Sequence, residues 1–587
     1  LIRDAPNINH FWAGLIVDEL VRNGIRMFCL APGSRSTPLT TAVARHPDTQ
    51  HVTHVDERGT AFFATGYARS TGQPAVWITT SGTAVANGLP AVVEAATDHL
   101  PLILLTADRP PELRSTGANQ TIDQVKIFGD YVKEFFDLPT PDPSLDPALP
   151  LTTVDQMVHQ TRTQPAGPVH LNCMFRKPLA PDTEAYRSPP EKEQLRGWYT
   201  HNRTYTSYAS PVDRAPPSVV NKVAHVLANG RPGLIIAGRL TTRKQGRAIA
   251  DLSEKLNWPL LPDVGSHLRL TAAGATAIPY FDLLLTTPDF PSTHQPNTVL
   301  HFGARTTSKR LRTFVSRAAP DHHIVVKNTP ERFDIHHDVS VSIEADIESF
   351  ARHLTAAADP HPRDDWLHSW RGASETIGTV LDAYTEQSND LREPRVARLL
   401  SQNIPPNHGL FLASSRPIRD LDSYAQAQAP ETHVGANRGA SGIDGTITSA
   451  AGFARGLQGP VTLLIGDLAL LHDLNALAVV RDSPQPVIIV AINNNGGGIF
   501  SFLPIANHKD VFEDFFATPF DVALEPAAEM FDLSYARPTT TDAFISTYRQ
   551  TVENGQSAII ELETDRDTNV DEHRQIERAI AEAVSTR

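Results

Sequence analysis

The chain has 587 residues, 40% of them hydrophobic, and a formal charge of −14 from 52 basic and 66 acidic side chains. That length is too great for one core and predicts about three or four domains; the acidic balance, with no long basic block, argues against general nucleic-acid binding. No run approaches the roughly 18 apolar residues of a membrane helix and the N-terminus has no basic-then-apolar leader pattern, so a cytoplasmic protein without membrane association is expected.

Residues 1–185 alternate helical stretches with short apolar strands. A helix is expected over Phe11 to Asn23, a strand over Met27 to Leu30, a helix opened by Glu57, a strand over Ala75 to Thr79, a helix over Val85 to Ala96 and a strand over Leu102 to Thr106. This alternation predicts a doubly wound α/β domain. The two cysteines, Cys29 and Cys173, lie beside apolar residues and read as buried thiols rather than a disulfide or a metal site. Two polar loops follow strands. The first, Ala31-Pro32-Gly33-Ser34-Arg35-Ser36, precedes a helix, where backbone N–H groups can meet an anion and Arg35 can grip a carboxylate through two hydrogen bonds. It holds no Gly-x-Gly-x-x-Gly, which disfavours a dinucleotide-binding dehydrogenase. The second runs from Thr106 through Arg109 and Arg114 to Asn119 and Gln120.

Residues 186–217, rich in Pro, Tyr and charge, read as a linker. Residues 218–358 repeat the alternation, with strands at Gly233 to Gly238, Thr298 to Phe302 and His323 to Val326, and carry Ser308-Lys309-Arg310. A polar helical stretch over 359–392, containing Trp366 and Trp370, leads to a third α/β segment, 393–587, which reads as a second copy of the first. The expected fold is thus three doubly wound α/β domains with mainly parallel sheets. In the third segment, Ser414-Ser415-Arg416-Pro417-Ile418-Arg419 and the run from Asn437 and Arg438 through Ile443 to Gly445 again place cations near predicted strand ends or turns. An acidic protein with Arg and Lys gathered at such positions builds a local receptor for polyanionic small molecules. Arginine, which greatly outnumbers lysine, suits planar carboxylates.

The most informative segments are Leu463-Leu464-Ile465-Gly466-Asp467-Leu468 and Val490-Ala491-Ile492-Asn493-Asn494-Asn495-Gly496. Two apolar runs about one helix apart read as parallel strands of one βαβ unit, their polar ends at the carboxyl edge where open α/β folds bind ligands. An Asp carboxylate, an Asn carbonyl and a main-chain carbonyl are hard donors suited to a Mg²⁺ that completes its octahedron with phosphate oxygens. Alone, these segments could be turns closing two core strands. Glu57, in His54-Val55-Asp56-Glu57-Arg58-Gly59, could alone be a carboxylate favoured by a helix N-terminus.

Together the two motifs resemble thiamine diphosphate enzymes. The resemblance implies that Asp467, the Asn494 side chain and the Gly496 carbonyl hold Mg²⁺ (or Mn²⁺). It implies that Glu57 hydrogen-bonds the cofactor's pyrimidine ring, favouring the tautomer that removes the thiazolium proton. Active sites would lie at the subunit interface of a homodimer or homotetramer. Leu468, where many members have Gly, departs from the superfamily pattern. The blocks APGSRSTPL, HVDERGTAFFATGYA, TADRPPELRSTGANQTIDQ, GPVHLNCMFRKPL, ANRGASGIDGTITSAAG, GDLALLHDLNAL and NNNGGGIFSFLP are similar, across all three segments, to the 2-succinyl-5-enolpyruvyl-6-hydroxy-3-cyclohexene-1-carboxylate synthase family, which shares Gly-Asp-Leu.

That family resemblance implies decarboxylation of 2-oxoglutarate and conjugate addition of the succinyl-semialdehyde carbanion to isochorismate in menaquinone biosynthesis. By the same resemblance, Ser34, Arg35, Arg109, Asn119, Gln120, Lys309, Arg310, Ser415, Arg419 and Arg438 bind substrate. Arg419, Arg438 and Ser415 would hold the succinyl carboxylate, and Arg35, Arg109, Lys309 and Arg310 would face isochorismate. Gln120, at the covalent intermediate, and Arg35 join Glu57 as catalytic residues. Ile443 would wedge the cofactor into its bent form, and Ile499, Phe500 and Leu503 would wall the acceptor ring. Ser414, Ser415, Asp467, Leu468 and Ala469 would bind diphosphate, Leu468 and Ala469 through backbone N–H groups. An acetohydroxyacid synthase or simple 2-oxoacid decarboxylase is disfavoured because pyruvate brings one carboxylate to so many cations. A non-catalytic diphosphate-binding protein is disfavoured by Glu57.

Overall fold

In the computed structural model, residue 2 and residues 5–182, 193–210, 214–228, 232–271, 274–360, 365–427 and 432–586 are described. They form three sheets whose strand pairings are all parallel. Sheet 1 contains β1 (Met27–Leu30), β2 (Gln50–Thr53), β3 (Ala75–Thr79), β4 (Leu102–Asp108), β5 (Phe135–Leu138) and β6 (Pro168–Met174), in the order β2-β1-β3-β4-β6-β5. Sheet 2 contains β7 (Gly233–Ala237), β8 (Leu260–Pro262), β9 (Thr298–Phe302), β10 (His322–Lys327) and β11 (Val341–Glu344), in the order β11-β10-β9-β7-β8. Sheet 3 contains β12 (Gly409–Leu412), β13 (His433–Gly435), β14 (Val461–Gly466), β15 (Val487–Asn493), β16 (Ser534–Ala536) and β17 (Ala558–Glu563), in the order β13-β12-β14-β15-β17-β16. Sheets 1 and 3 therefore have the same strand order, as two copies of one fold would.

The described chain divides into two compact units. One comprises residues 1–211, Asn437–Gly459 and His472–Gln485, and contains sheet 1. The other comprises residues 212–436, Pro460–Leu471 and 486–587, and contains sheets 2 and 3. Strands β1, β3, β4 and β6 are buried along their whole length; β1 and β3 accordingly read as near-continuous apolar runs, while β4 and β6 bury polar residues as well. Both cysteines are free and buried, and burial pushes each thiol up. Among the described residues no helix is long and apolar enough to cross a membrane.

Local signals account for most helix ends. The helix Glu57–Thr71 begins at Asp56, whose side chain accepts from the Arg58 N–H at 2.9 Å, and stops at Gly72, a left-handed residue. The single helix expected over Val85 to Ala96 is two, Thr83–Asn87 and Leu89–Thr97. Pro90 has no N–H for the preceding turn, and its ring would clash there, so the first helix ends before it. Within the expected linker, Glu193–Thr200 forms a helix. Its Leu195 and Trp198 enter the core of the first unit, and the Arg22 guanidinium lies 3.9 Å from the Trp198 ring. Residues 186–192 and 211–213 of that stretch, and 361–364 of the expected helical stretch, lie outside the described residues. The helix Asp365–Glu386 sinks Trp370, Ile377 and Leu381 into the core of the second unit.

In the first unit the helices Glu57–Thr71 and Thr446–Leu457 touch backbone to backbone. A Cβ on Gly66 would stand 2.0 Å from the Ser449 carbonyl oxygen, and one on Gly452 would stand 2.1 Å from that of Phe63. Gly66→Val should therefore lower the apparent unfolding temperature, overpacking costing about 1–3 kcal/mol. Gly197→Ala, where a Cβ meets nothing within 4 Å, should hold or raise it; calorimetry on both variants checks the contrast.

Candidate active site

In sheet 3 the chain steps from β12 to β13 in one direction and from β14 through β15 in the other, so the strand order reverses between β12 and β14. The carboxyl ends flanking such a reversal leave a ligand crevice. Ser414 and Ser415 follow β12, Asp467 follows β14, and Asn494 and Gly496 follow β15. The Asp467 carboxylate, 2% exposed, accepts from the Leu468 N–H at 2.7 Å and the Gly496 N–H at 2.8 Å. Burial pushes its carboxyl up to about 6, those two N–H groups pulling it back down and Glu393 adding repulsion. Asn494 donates its amide to Glu393 at 2.8 Å. Its Oδ1 is buried without a partner among the described residues. Gly496 has φ +131°, and a Cβ there would lie 2.2 Å from the Ala517 carbonyl oxygen, so no other residue fits.

An orphaned amide oxygen beside a buried, strained carboxylate is a donor set that a hard divalent cation would satisfy. These residues therefore fit the metal expected from the sequence. Among the described residues no group of three or more His, Cys, Asp or Glu side chains is placed to hold a metal. Ala469 lies in the short helix Asp467–His472 with Leu468, whose N–H is taken by Asp467. Arg419 donates to the Ser415 carbonyl. Ile499 and Phe500, half-buried, sit in the turn Gly498–Phe502, with Phe500 5.8 Å from the Phe516 ring; Leu503 is exposed. From sheet 2, exposed Lys309 opens the helix Lys309–Ala318. Arg310 beside it is engaged by Asp282 at 3.0 Å and by Glu577. Those carboxylates hold its guanidinium above the usual range against the pull of burial.

Sheet 1 reverses likewise between β1 and β3. Arg35, 7% exposed, donates to the Phe175 carbonyl at 2.7 Å while its backbone N–H meets Thr80 Oγ1 at 3.3 Å. Arg109 donates to Ser81 Oγ and, at 2.7 Å, to the Asn119 carbonyl. Gln120 closes on Ser81 with a side-chain and a main-chain bond, both 3.0 Å. Ser34, Asn119 and Gln120 are exposed at this edge. Burial lowers both guanidiniums, and Arg109 lowers Arg35 further; two cations pressed together this way form an anion receptor. Glu57 follows β2 on the same edge and accepts from Asn87 Nδ2 at 3.1 Å. Arg438 and Ile443, both half-buried, belong to this unit. Their loop is pinned by the Glu94 carboxylate, which takes the N–H groups of Gly439 at 2.9 Å and Ala440 at 2.7 Å.

Sequence reasoning missed Glu393 and Ser81. Glu393 lies a hundred residues before Asn494 with no local motif, and Ser81 gives no signal beyond following a strand.

The thiamine pyrophosphate enzyme N-terminal TPP binding domain matches residues 12–127, and the middle domain of thiamine pyrophosphate enzymes matches 190–412. The solved benzoylformate decarboxylase of Polynucleobacter necessarius superposes with a TM-score of 0.71 at 15% identity, covering 94% of this chain and 98% of that one, which speaks to fold alone. Fold and domains define a thiamine diphosphate enzyme, a class that holds this cofactor with Mg²⁺ or Mn²⁺. The 2-succinyl-5-enolpyruvyl-6-hydroxy-3-cyclohexene-1-carboxylate synthase of Salinibacter ruber is 50% identical over 99% of this chain and 98% of its own. That of Rubrobacter xylanophilus is 49% identical over 98% and 99%. The chain belongs to this synthase family, thiamine diphosphate-dependent transferases of menaquinone biosynthesis.

Glu393→Ala should free the Asn494 amide to turn and weaken Mn²⁺ binding by about 10- to 100-fold, as read by electron paramagnetic resonance titration of metal-depleted protein.

Proposed function

We propose that this enzyme decarboxylates 2-oxoglutarate and adds the resulting four-carbon unit in conjugate fashion to isochorismate, releasing 2-succinyl-5-enolpyruvyl-6-hydroxy-3-cyclohexene-1-carboxylate and carbon dioxide. The observation that carries the reading is the Arg35 and Arg109 pair, two partly desolvated cations following β1 and β4 at the carboxyl edge of sheet 1, suited to an acceptor with two carboxylates. Asp467, Asn494 and the Gly496 carbonyl hold the metal, and the orphaned Asn494 Oδ1 supports this. Ser414, Ser415, Leu468 and Ala469 take the diphosphate; because the Leu468 N–H is already on Asp467, Ala469 is the freer donor of the two.

When bound, thiamine diphosphate supplies the electron sink for loss of carbon dioxide. Glu57, at the first position of its helix, would hold the cofactor's pyrimidine ring and supply or accept a proton there. Arg419 and Arg438, with Ser415, orient the 2-oxoglutarate carboxylate remote from the reacting carbon. Ser34, Arg35, Arg109, Asn119 and Lys309 orient isochorismate, and Gln120 stands at the reacting carbon. Arg310, already paired with Asp282 and Glu577, joins them only by exchanging a partner. Ile443 would pack against the cofactor, and Ile499, Phe500 and Leu503 would exclude water from the acceptor. These groups act by positioning and charge stabilisation.

The domains run over 1–185, 218–358 and 393–587, joined by 186–217 and 359–392. The active form is a cytoplasmic homodimer or homotetramer with sites at the subunit interface. The family resemblance supports this.

Mass spectrometry of the enzyme with thiamine diphosphate, Mg²⁺ and both substrates should show joint consumption and the joined product; carbon dioxide release with isochorismate untouched would refute the acceptor. Glu57→Gln should retain cofactor but lose about 10²- to 10⁴-fold in turnover, and an unchanged rate would remove Glu57 from the mechanism. Arg419→Ala should cost 2-oxoglutarate use about 2–5 kcal/mol and isochorismate use much less, as steady-state KM values would reveal.

A further inference from the structure

The block GPVHLNCMFRKPL, on and after β6, has no role in the reaction described above, yet it carries polar side chains through the middle of a fully buried strand. Asn172 is 0% exposed and uses all four of its side-chain hydrogen-bonding positions. Its Oδ1 accepts from Thr106 Oγ1 and Gln124 Nε2, both at 3.0 Å. Its Nδ2 donates to Asp108 Oδ2 at 3.0 Å and to Asp137 Oδ1 at 2.9 Å. With the Thr106 proton spent on Asn172, the 2.7 Å contact between Thr106 Oγ1 and His170 Nε2 requires His170 to donate. That makes it the neutral tautomer with its proton on Nε2, consistent with burial pushing His170 down to about 3.

From Asn172 two arms reach the loop that carries Arg109, Asn119 and Gln120. On one, Asp108 Oδ1 takes the Arg109 N–H at 2.7 Å, and Asp108 and Asp137 together hold Arg114. On the other, Gln124 Oε1 takes the Gly82 N–H at 3.1 Å, next to Ser81, which holds both Gln120 and Arg109. The loop is therefore tied down at its two ends by one amide beneath it.

We propose that Asn172 is a positioning residue: by bonding Asp108 and Gln124 at once, it sets the 109–124 loop at the spacing that lets Arg109 and Gln120 meet the acceptor substrate. This deepens the proposed function and rests on its assignment of Arg109 and Gln120. An Asn suits the task because it alone offers two donors to the carboxylates and two acceptor sites to Thr106 and Gln124; an Asp of the same shape would turn a third carboxylate onto Asp108 and Asp137.

The test is hydrogen–deuterium exchange on the holoenzyme together with steady-state kinetics. In Asn172→Asp, exchange in residues 109–124 should quicken and kcat/KM for isochorismate fall about 10- to 100-fold, with KM for 2-oxoglutarate within about twofold of the parent, since uniform damage would move both. Gln124→Met, which cuts one arm only, should show the same pattern more weakly and serves if Asn172→Asp does not fold. Thr106→Ser, which keeps the hydroxyl, should behave as the parent. Unchanged exchange and kinetics in both disruptive variants would overturn the inference, as would faster exchange with unchanged kcat/KM. An Arg109→Ala enzyme with unaltered isochorismate kinetics would overturn the assignment beneath it, and loop exchange, which needs no substrate, separates the two failures.

Discussion

A parallel sheet covered on both faces leaves polar side chains a place chiefly at its strand ends, because an unpaired polar atom along its length would cost desolvation with no return. Sheets 1 and 3 share a strand order that puts the reversal at the same place in each, between β1 and β3 and between β12 and β14. Arg35 follows β1 and Asp467 follows β14, each beside its sheet's reversal, with Arg109 and Asn494 one strand further along the same edges. The βαβ connections that make the sheets parallel thus decide where function can lie before any particular side chain is considered.

At both edges the protein holds charge of one sign under partial desolvation. Asp467 is pushed up by burial, and Arg35 is pushed down by burial and by Arg109. Left alone, each arrangement opposes folding, since the charged form has lost water and gained too little in exchange. A ligand of opposite charge reverses the balance: a divalent cation for the carboxylate, a carboxylate for the guanidiniums. Glu393 shows how finely this is set. It takes the Asn494 amide protons, so that the oxygen is left unpartnered, while its own charge keeps Asp467 raised.

The polar middle of β6 departs from that rule. His170, Asn172, Thr106 and Asp108 are all 0% exposed, and Asn172 has each of its donors and acceptor sites matched. A buried amide satisfied at every position rigidifies what it touches. What it touches is the 109–124 loop, which has little secondary structure of its own beyond a short 3-10 turn at Pro111–Leu113.

The strands β1, β3 and β9 were legible to the residue, since a buried parallel strand is an unbroken apolar run whatever surrounds it. Gly466-Asp467 and Asn493-Asn494, the ends of two such runs, were legible for the same reason, and β14 and β15 pair in parallel as that reading requires. The resemblance carried by local blocks reached the family. Long-range pairing was not legible. Nothing near Arg310 in the chain announces Glu577, nothing near Asn494 announces Glu393, and a Pro- and Tyr-rich stretch does not show that its Leu195 and Trp198 enter a core. By itself the sequence determined strand positions, the order of motifs and the chemistry available at strand ends, because these depend on local periodicity and side-chain type. Which donor each acceptor meets, which cation stays unspent and which amide oxygen is left bare were decided by the tertiary structure alone, because burial and hydrogen-bond geometry are properties of neighbours that the chain brings together from far apart.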